Sequence, residues 1–355
     1  MNDTAEAVAD RLLTSTLGLM DTLAVYLGDR LGWYRSLAAD GPATAAELAE
    51  RTGTNERYAR EWLEQQAVAG WLEVTDGTDA AARRFTLPAA AEEVLTDPDS
   101  LNYLAPLPRL FAASAGALPE LLAAYREGGG VSWERLGADA REGQADMNRP
   151  WYEQELAPAL ARAPEVHDRL SRDGAAIADV GCGAGWSTIA LARAYPGATL
   201  HGLDVDEPSV AMARANAAEA GLDERVTFTT VDGNTLPEQS YDAVFAFECI
   251  HDMPRPVEVL RAARGSLVDD GFMVVMDEAV ADEFAPGGDE LERLMYGFSL
   301  FICLPDGLSG ADSVGTGTVM RRDTLAAYAT EAGFGSTDVL PTGEFGLWRF
   351  YLLRP

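Results

Sequence analysis

Residues 177–187 read Ile-Ala-Asp-Val-Gly-Cys-Gly-Ala-Gly-Trp-Ser. An apolar strand that runs into three glycines within five positions, and then into a helical stretch, leaves few folds open. The glycines let the backbone turn tightly and approach a ligand closely. Downstream, apolar β-rich runs (ATLHGLD, RVTFTTV, YDAVFAF, GFMVVMD) alternate with helical stretches that start near Gly185, Glu207, Pro256 and Asp323. That alternation indicates an α/β fold with a doubly wound parallel sheet. The tail STDVLPTGEFGLWRFYLL supplies two last strands joined by a Gly turn, a hairpin rather than another crossover.

A nicotinamide-binding fold competes for such a loop. The dinucleotide pattern wants a third small residue where this chain has Trp186, whose side chain would prevent close helix–strand packing under a pyrophosphate. Asp179, two residues ahead of Gly181, is awkward beside a diphosphate but suits a ligand that carries positive charge. Asp204 ends the second strand 25 residues after Asp179, the distance at which an acid grips ribose hydroxyls. Asp232 and Gly233 close the third strand, where a carboxylate could accept from an adenine amino group.

Charge and composition exclude other classes. The 355 residues carry 57 acids against 27 bases, a net charge of −30, which argues against a nucleic-acid backbone as partner. Every base is Arg. Three cysteines (Cys182, Cys249, Cys303) lack CxxC spacing, so neither a disulfide framework nor a metal knuckle is expected. No early segment resembles a signal peptide and no apolar run is long enough to span a membrane, so the expectation is a cytoplasmic protein.

Residues 1–90 read as short amphipathic helices followed by a hairpin. LLTSTLGLMDTLAVYLGDRLGWYRSLAA has helical apolar spacing broken by Gly28 and Gly32. Thr44 with Glu47 forms a capping-box signature, a second helix spans about 55–69, and a turn at Asp76-Gly77 joins two short strands. This is a winged-helix outline. Its presumed recognition helix sets Glu56, Glu61 and Glu64 beside Arg57 and Arg60, which repels phosphate about as much as it attracts it, so a dimerising role is expected. Residues 91–165 read as a helical connector or lid, and 166–355 as the ligand-binding domain.

DVGCGAG, GLD and VDG at these intervals resemble a class I S-adenosylmethionine-dependent methyltransferase, with a Rossmann-like seven-stranded sheet. The resemblance implies that Asp179 and the Gly181–Gly183–Gly185 loop face the methionine moiety, Asp204 the ribose and Asp232 the adenine, with Gly233 and Phe247 in the same site. It implies S-adenosylhomocysteine as product, and no metal. His251 lies just past the fourth strand in FAFECIHDMPRP, at the edge where such sheets bind substrates, and could remove a proton from a hydroxyl. That segment, with Asp252, resembles the His-Asp motif of plant-type small-molecule O-methyltransferases, which also carry an N-terminal winged-helix dimerisation domain. In them an acid after the fifth strand orients the base; here the matching position is Glu278, with Asp277 beside it. The whole chain is still more similar to bacterial regulator-like winged-helix methyltransferases.

On the acceptor side, Met295, Tyr296, Phe298 and Phe301 fall at helical spacing as an apolar stripe, and Trp151, Tyr152 and Trp186 are further pocket candidates. The Gly-rich stretch SGADSVGTGTVM is expected to be a mobile loop near the mouth. The expectation is methyl transfer to a small-molecule hydroxyl by a homodimer. The alternatives are an N- or C-methyltransferase of the same fold, or a cofactor-binding winged-helix transcriptional regulator.

Overall fold

The structure, a computed structural model, describes residues 4–76 and 79–355. Its backbone groups into two units, Met1–Ala112 with Glu142–Pro150, and Ala113–Arg141 with Trp151–Pro355. The connector expected over 91–165 is therefore shared between them.

The first unit holds α1 (Ala5–Arg30), α2 (Trp33–Asp40), α3 (Ala45–Thr52), α4 (Glu56–Val68), the hairpin β1 (Glu73–Asp76) and β2 (Arg84–Thr86), and α5 (Ala89–Thr96). The capping box forms as its sequence implies: Glu47 N–H donates to Thr44 Oγ1, and Thr44 N–H to the Glu47 carboxylate. Asn55 caps α4, and the β1–β2 pairing sets Val74 against Phe85. Of the expected hairpin turn, Gly77 lies outside the described residues. One expectation needs correcting. Gly28 does not break α1, which ends at Arg30; it is a contact point, because a Cβ there would lie 2.4 Å from Trp62 and 2.5 Å from Tyr34. The chain turns at Gly32 instead, with φ +71°.

Between the hairpin domain and the sheet run α6 (Leu107–Gly116), α7 (Leu118–Glu127), α8 (Trp133–Trp151), a π-helical turn (Tyr152–Leu156), α9 (Ala157–Ala161) and α10 (Pro164–Leu170).

In the second unit, β3 (Ala176–Val180), α11 (Trp186–Ala194), β4 (Thr199–Asp204), α12 (Glu207–Glu219), β5 (Val226–Thr230), β6 (Tyr241–Phe247), α13 (Pro256–Ser266) and β7 (Leu267–Glu278) alternate. Then come α14 (Glu290–Phe298), a second π-helical turn (Ser299–Cys303), α15 (Leu304–Ser309), α16 (Arg322–Ala332), β8 (Ser336–Val339) and β9 (Trp348–Arg354). The sheet order is β5-β4-β3-β6-β7-β9-β8, parallel except for β9, which is antiparallel to β7 and to β8. Both faces are covered. Ile177, Leu200, Phe245 and Phe350 pack on one side and Val180, Val244, Met273 and Leu353 on the other, which is why the strands read as near-continuous apolar runs. Strand order reverses between β3 and β6, and ligands of such sheets bind in the crevice beyond the carboxyl ends there.

The Gly-rich stretch before α16 departs from expectation. Gly317 N–H donates to His251 O (3.1 Å), Val314 N–H to Pro254 O (3.0 Å), and Thr318 and Met320 are buried. Those bonds seat it against the strand end that carries His251.

Candidate active site

The carboxyl ends of β3, β4, β5, β6 and β7 supply the candidate residues. β3 delivers Asp179, which is fully buried, with Oδ2 accepting from Ser187 Oγ (2.7 Å) and Thr188 Oγ1 (2.5 Å) on the first turn of α11. Its Oδ1 is buried without a hydrogen-bond partner. Burial outweighs the two hydroxyls and, with Asp204, lifts this carboxyl to about 6. Gly183 stands open to the crevice: it has φ +52°, and a Cβ there would meet nothing within 4 Å. Its N–H donates to Asp204 Oδ2 (2.8 Å), and Asp206 N–H to Asp204 Oδ1 (2.9 Å), so the acid at the end of β4 is fixed through both oxygens.

Asp232 accepts from Asn234 N–H (3.1 Å) and lies 3.6 Å from the Arg255 guanidinium, a neighbour that sequence reasoning did not single out. Gly233 sits close above Val180. Phe247, at the end of β6, makes an edge contact with Tyr152 at a centroid distance of 5.5 Å. Gly181 and Gly185 take left-handed φ on either side of Gly183, Gly185 as the N-cap of α11. The cofactor candidates are thus assembled around one loop.

His251 follows β6 and is 2% exposed. Its Nδ1 hydrogen-bonds both oxygens of Asp277 (3.0 and 3.1 Å), with Glu278 Oε2 at 3.3 Å; Nε2 has Asp252 Oδ1 at 3.2 Å. Asp277 is thus the nearer of the two acids at Nδ1, with the expected Glu278 beside it. β7 ends at this point, and both carboxyls of its last two residues reach the imidazole. Burial alone would lower the His251 pKa, but Asp252, Asp277 and Glu278 together hold it well above the ordinary imidazole value. Asp277 stays below the usual carboxylate range despite its burial, because the imidazolium and a hydrogen bond from Glu278 favour its charge. Burial, then the Asp277 charge, pushes Glu278 well up.

The acceptor candidates separate. Met295 is buried, Phe298 half-buried, and Tyr296 and Phe301 are exposed, so the four do not form one stripe. Adjacent helix positions such as Met295 and Tyr296 face different ways, and the buried face runs through Glu292, Met295, Ser299 and Ile302 at ordinary helical spacing. Cys303 is buried next to Ile302, beside His251 and Asp252. Trp151 packs with Phe345 and Trp348 at centroid distances of 5.7 and 5.8 Å. Trp186 packs on the core beneath the glycine loop. The trios His251–Asp277–Glu278 and His251–Asp252–Cys303 each bring donor atoms within 4.8 Å of one another. Both draw on His251, whose Nδ1 the Asp277 carboxylate satisfies without an ion.

The description "Methyltransferase domain" matches residues 171–299, and "Rv2258c-like winged HTH domain" matches 19–97. The chain joins a methyltransferase domain to an N-terminal winged helix-turn-helix domain. The chain is 30% identical over 202 residues to 27-O-demethylrifamycin SV methyltransferase of Amycolatopsis mediterranei (strain S699), covering 53% of this chain and 66% of that one. The chain spans less than two thirds of the length of the first curated relatives it matches. Along its whole length the fold is shared with mitomycin 7-O-methyltransferase MmcR (TM-score 0.74, 22% identity, 99% of each chain). It is also shared with human N-acetylserotonin methyltransferase, solved in complex with SAM (TM-score 0.67, 19% identity, 99% of this chain and 98% of that one).

Proposed function

We propose that this protein transfers a methyl group from S-adenosylmethionine to a hydroxyl of a small molecule, with His251 as general base. The observation that carries the reading is the buried imidazole held at Nδ1 by Asp277, set at the crevice beside the glycine loop. The cofactor fits the residues present. The partnerless Oδ1 of Asp179 suits a cationic methionine amine, Asp204 is fixed for ribose hydroxyls, Asp232 and Gly233 stand at the adenine end, and Phe247 and Tyr152 supply an apolar wall. When bound, S-adenosylmethionine supplies a methyl group already activated on a sulfonium.

The chain's own work is alignment and proton removal. Asp277 fixes the ring at Nδ1, which leaves Nε2 to take the hydroxyl proton, and Asp252, 3.2 Å from Nε2, stabilises the imidazolium that forms. The burial of His251, 2% exposed, keeps the proton transfer away from bulk water. The relative named 27-O-demethylrifamycin SV methyltransferase supports a small-molecule acceptor.

A homodimer is supported by α1. Leu13, Leu17 and Met20 are exposed and continue, at helical spacing, the stripe of Ala24, Leu27 and Leu31. Those three residues line a hollow of about 410 Å³ with Trp33 and Trp62. The three cysteines are all free, which favours the reducing cytoplasm, and no helix among the described residues is long and apolar enough to cross a membrane.

The test is incubation with labelled S-adenosylmethionine and a panel of phenols, carboxylic acids, alcohols and amines. On the hydroxyl acceptor that is labelled, His251→Asn should lose about 10²- to 10⁴-fold in kcat with cofactor affinity intact. Labelling of amines alone, or an unchanged His251→Asn, would remove the base.

A further inference from the structure

The start of α8 has no part in the chemistry above, yet it is tied at both ends to the catalytic edge. Val131 N–H donates to Pro305 O (2.9 Å), and Trp133 N–H to Asp306 Oδ1 (2.7 Å). Further along, Arg141 pairs bidentately with Asp206, Nε to Oδ2 at 2.5 Å and Nη2 to Oδ1 at 2.8 Å, both side chains being about one-tenth exposed. Between these anchors Gly137 has φ 78° and ψ −155°, a conformation that glycine alone adopts without strain. A Cβ there would meet nothing within 4 Å, so conformation and not crowding demands the glycine.

The anchors belong to different parts of the site. Asp306 stands one turn after Cys303 on α15, and burial, then the charge of Asp252, raises its carboxyl to about 7; Asp204 and Asp206 add to the rise. Asp206 caps α12 through Ser209 N–H (3.0 Å) and Ser209 Oγ (2.7 Å), while its own N–H holds Asp204 Oδ1. A guanidinium–carboxylate fork shielded from water thus leads by one backbone bond to the ribose acid.

We propose that residues 131–141 form a hinged strap over the cofactor crevice and that Arg141, acting through Asp206, is a positioning residue that sets Asp204 and retains the nucleoside. This rests on the cofactor reading above. The strap opens at Gly137 for exchange of S-adenosylmethionine and S-adenosylhomocysteine, and latches when Arg141 meets Asp206.

The experiment measures S-adenosylhomocysteine affinity and dissociation rate on the full chain by stopped-flow, with thermal midpoints recorded in parallel. Arg141→Gln should release the nucleoside about tenfold faster. Arg141→Lys should recover only part of the loss, since an ammonium cannot make the fork. Gly137→Ala touches neither the latch nor the nucleoside, and should also quicken release by straining the hinge; it carries the test if Arg141→Gln fails to fold. Lower thermal midpoints with wild-type release rates in both Arg141→Gln and Gly137→Ala would overturn the strap and leave the cofactor reading standing. A wild-type protein that binds no S-adenosylhomocysteine would overturn both.

Discussion

At the scale of single residues, position singles out the candidate acids and scarcity the candidate base. The chain has three histidines, and only His251 follows a strand of the sheet at its carboxyl edge. What sequence could not settle was which of two adjacent carboxyls holds it. Neighbours along a regular strand point to opposite faces, but β7 ends at Glu278, opposite Trp348 of β9, and there both carboxyls reach the imidazole, Asp277 at 3.0 Å and Glu278 at 3.3 Å. The consequence is measurable. In Asp277→Asn the imidazole loses an ionised partner, so its raised pKa should fall by about one unit. A rate that needs neutral His251 rises with pH through that pKa, and its midpoint should move down in the variant. The stability effect has a definite sign. A group whose native pKa is raised stabilises the fold below its unfolded value of about 6.5, and that contribution is lost as pH rises through the native value. Asp277→Asn should therefore flatten the fall in thermal midpoint above pH 6.5. Histidine ¹⁵N resonances titrated with pH check the assignment directly; an unmoved His251 midpoint would refute the Asp277 role.

At the scale of elements, local signals with a chemical mechanism proved reliable. The capping box, the glycine loop and the final hairpin all form where their residues require. Failures came where tertiary packing decided the outcome. The acceptor stripe puts Tyr296 and Phe301 with Met295, but the face that packs inward is Glu292, Met295, Ser299 and Ile302, which leaves both rings exposed. Gly28 was read as a helix breaker, yet α1 runs through it because the ring edges of Trp62 and Tyr34 leave no room for a side chain. Gly28→Ala gains up to about 1 kcal/mol of helix propensity and forces two buried rings to move, at a cost of about 1–3 kcal/mol. The clash should win where Tyr34 and Trp62 cannot shift. Denaturant unfolding of the N-terminal unit should move to lower concentration while S-adenosylhomocysteine affinity stays unchanged; a more stable variant would show that the rings yield.

At the scale of the whole molecule, two features oppose each other. A charge of −30 makes like chains repel, yet α1 carries an unpartnered apolar stripe, with Leu12 beside it 69% exposed and Met20 on it 60% exposed. An isologous dimer would lay that stripe against the hollow at its own far end, the same patch serving both copies. Burial of apolar surface is short-ranged and largely independent of salt, whereas repulsion between net charges is screened within about 10 Å at 0.1 M ionic strength. Association should therefore strengthen as salt is raised from low concentration, the reverse of an assembly held by ion pairs. Light scattering during size-exclusion chromatography should find twice the chain mass at moderate salt, with dissociation favoured on dilution at low salt. Leu13→Glu combined with Met20→Glu should give the monomer at every salt concentration, because burying two carboxylates costs more than the stripe returns. A doubly substituted chain that still runs at twice the chain mass would place the interface elsewhere. A wild-type dimer that loosens as salt rises would show that charge, and not the leucines of α1, holds the copies together.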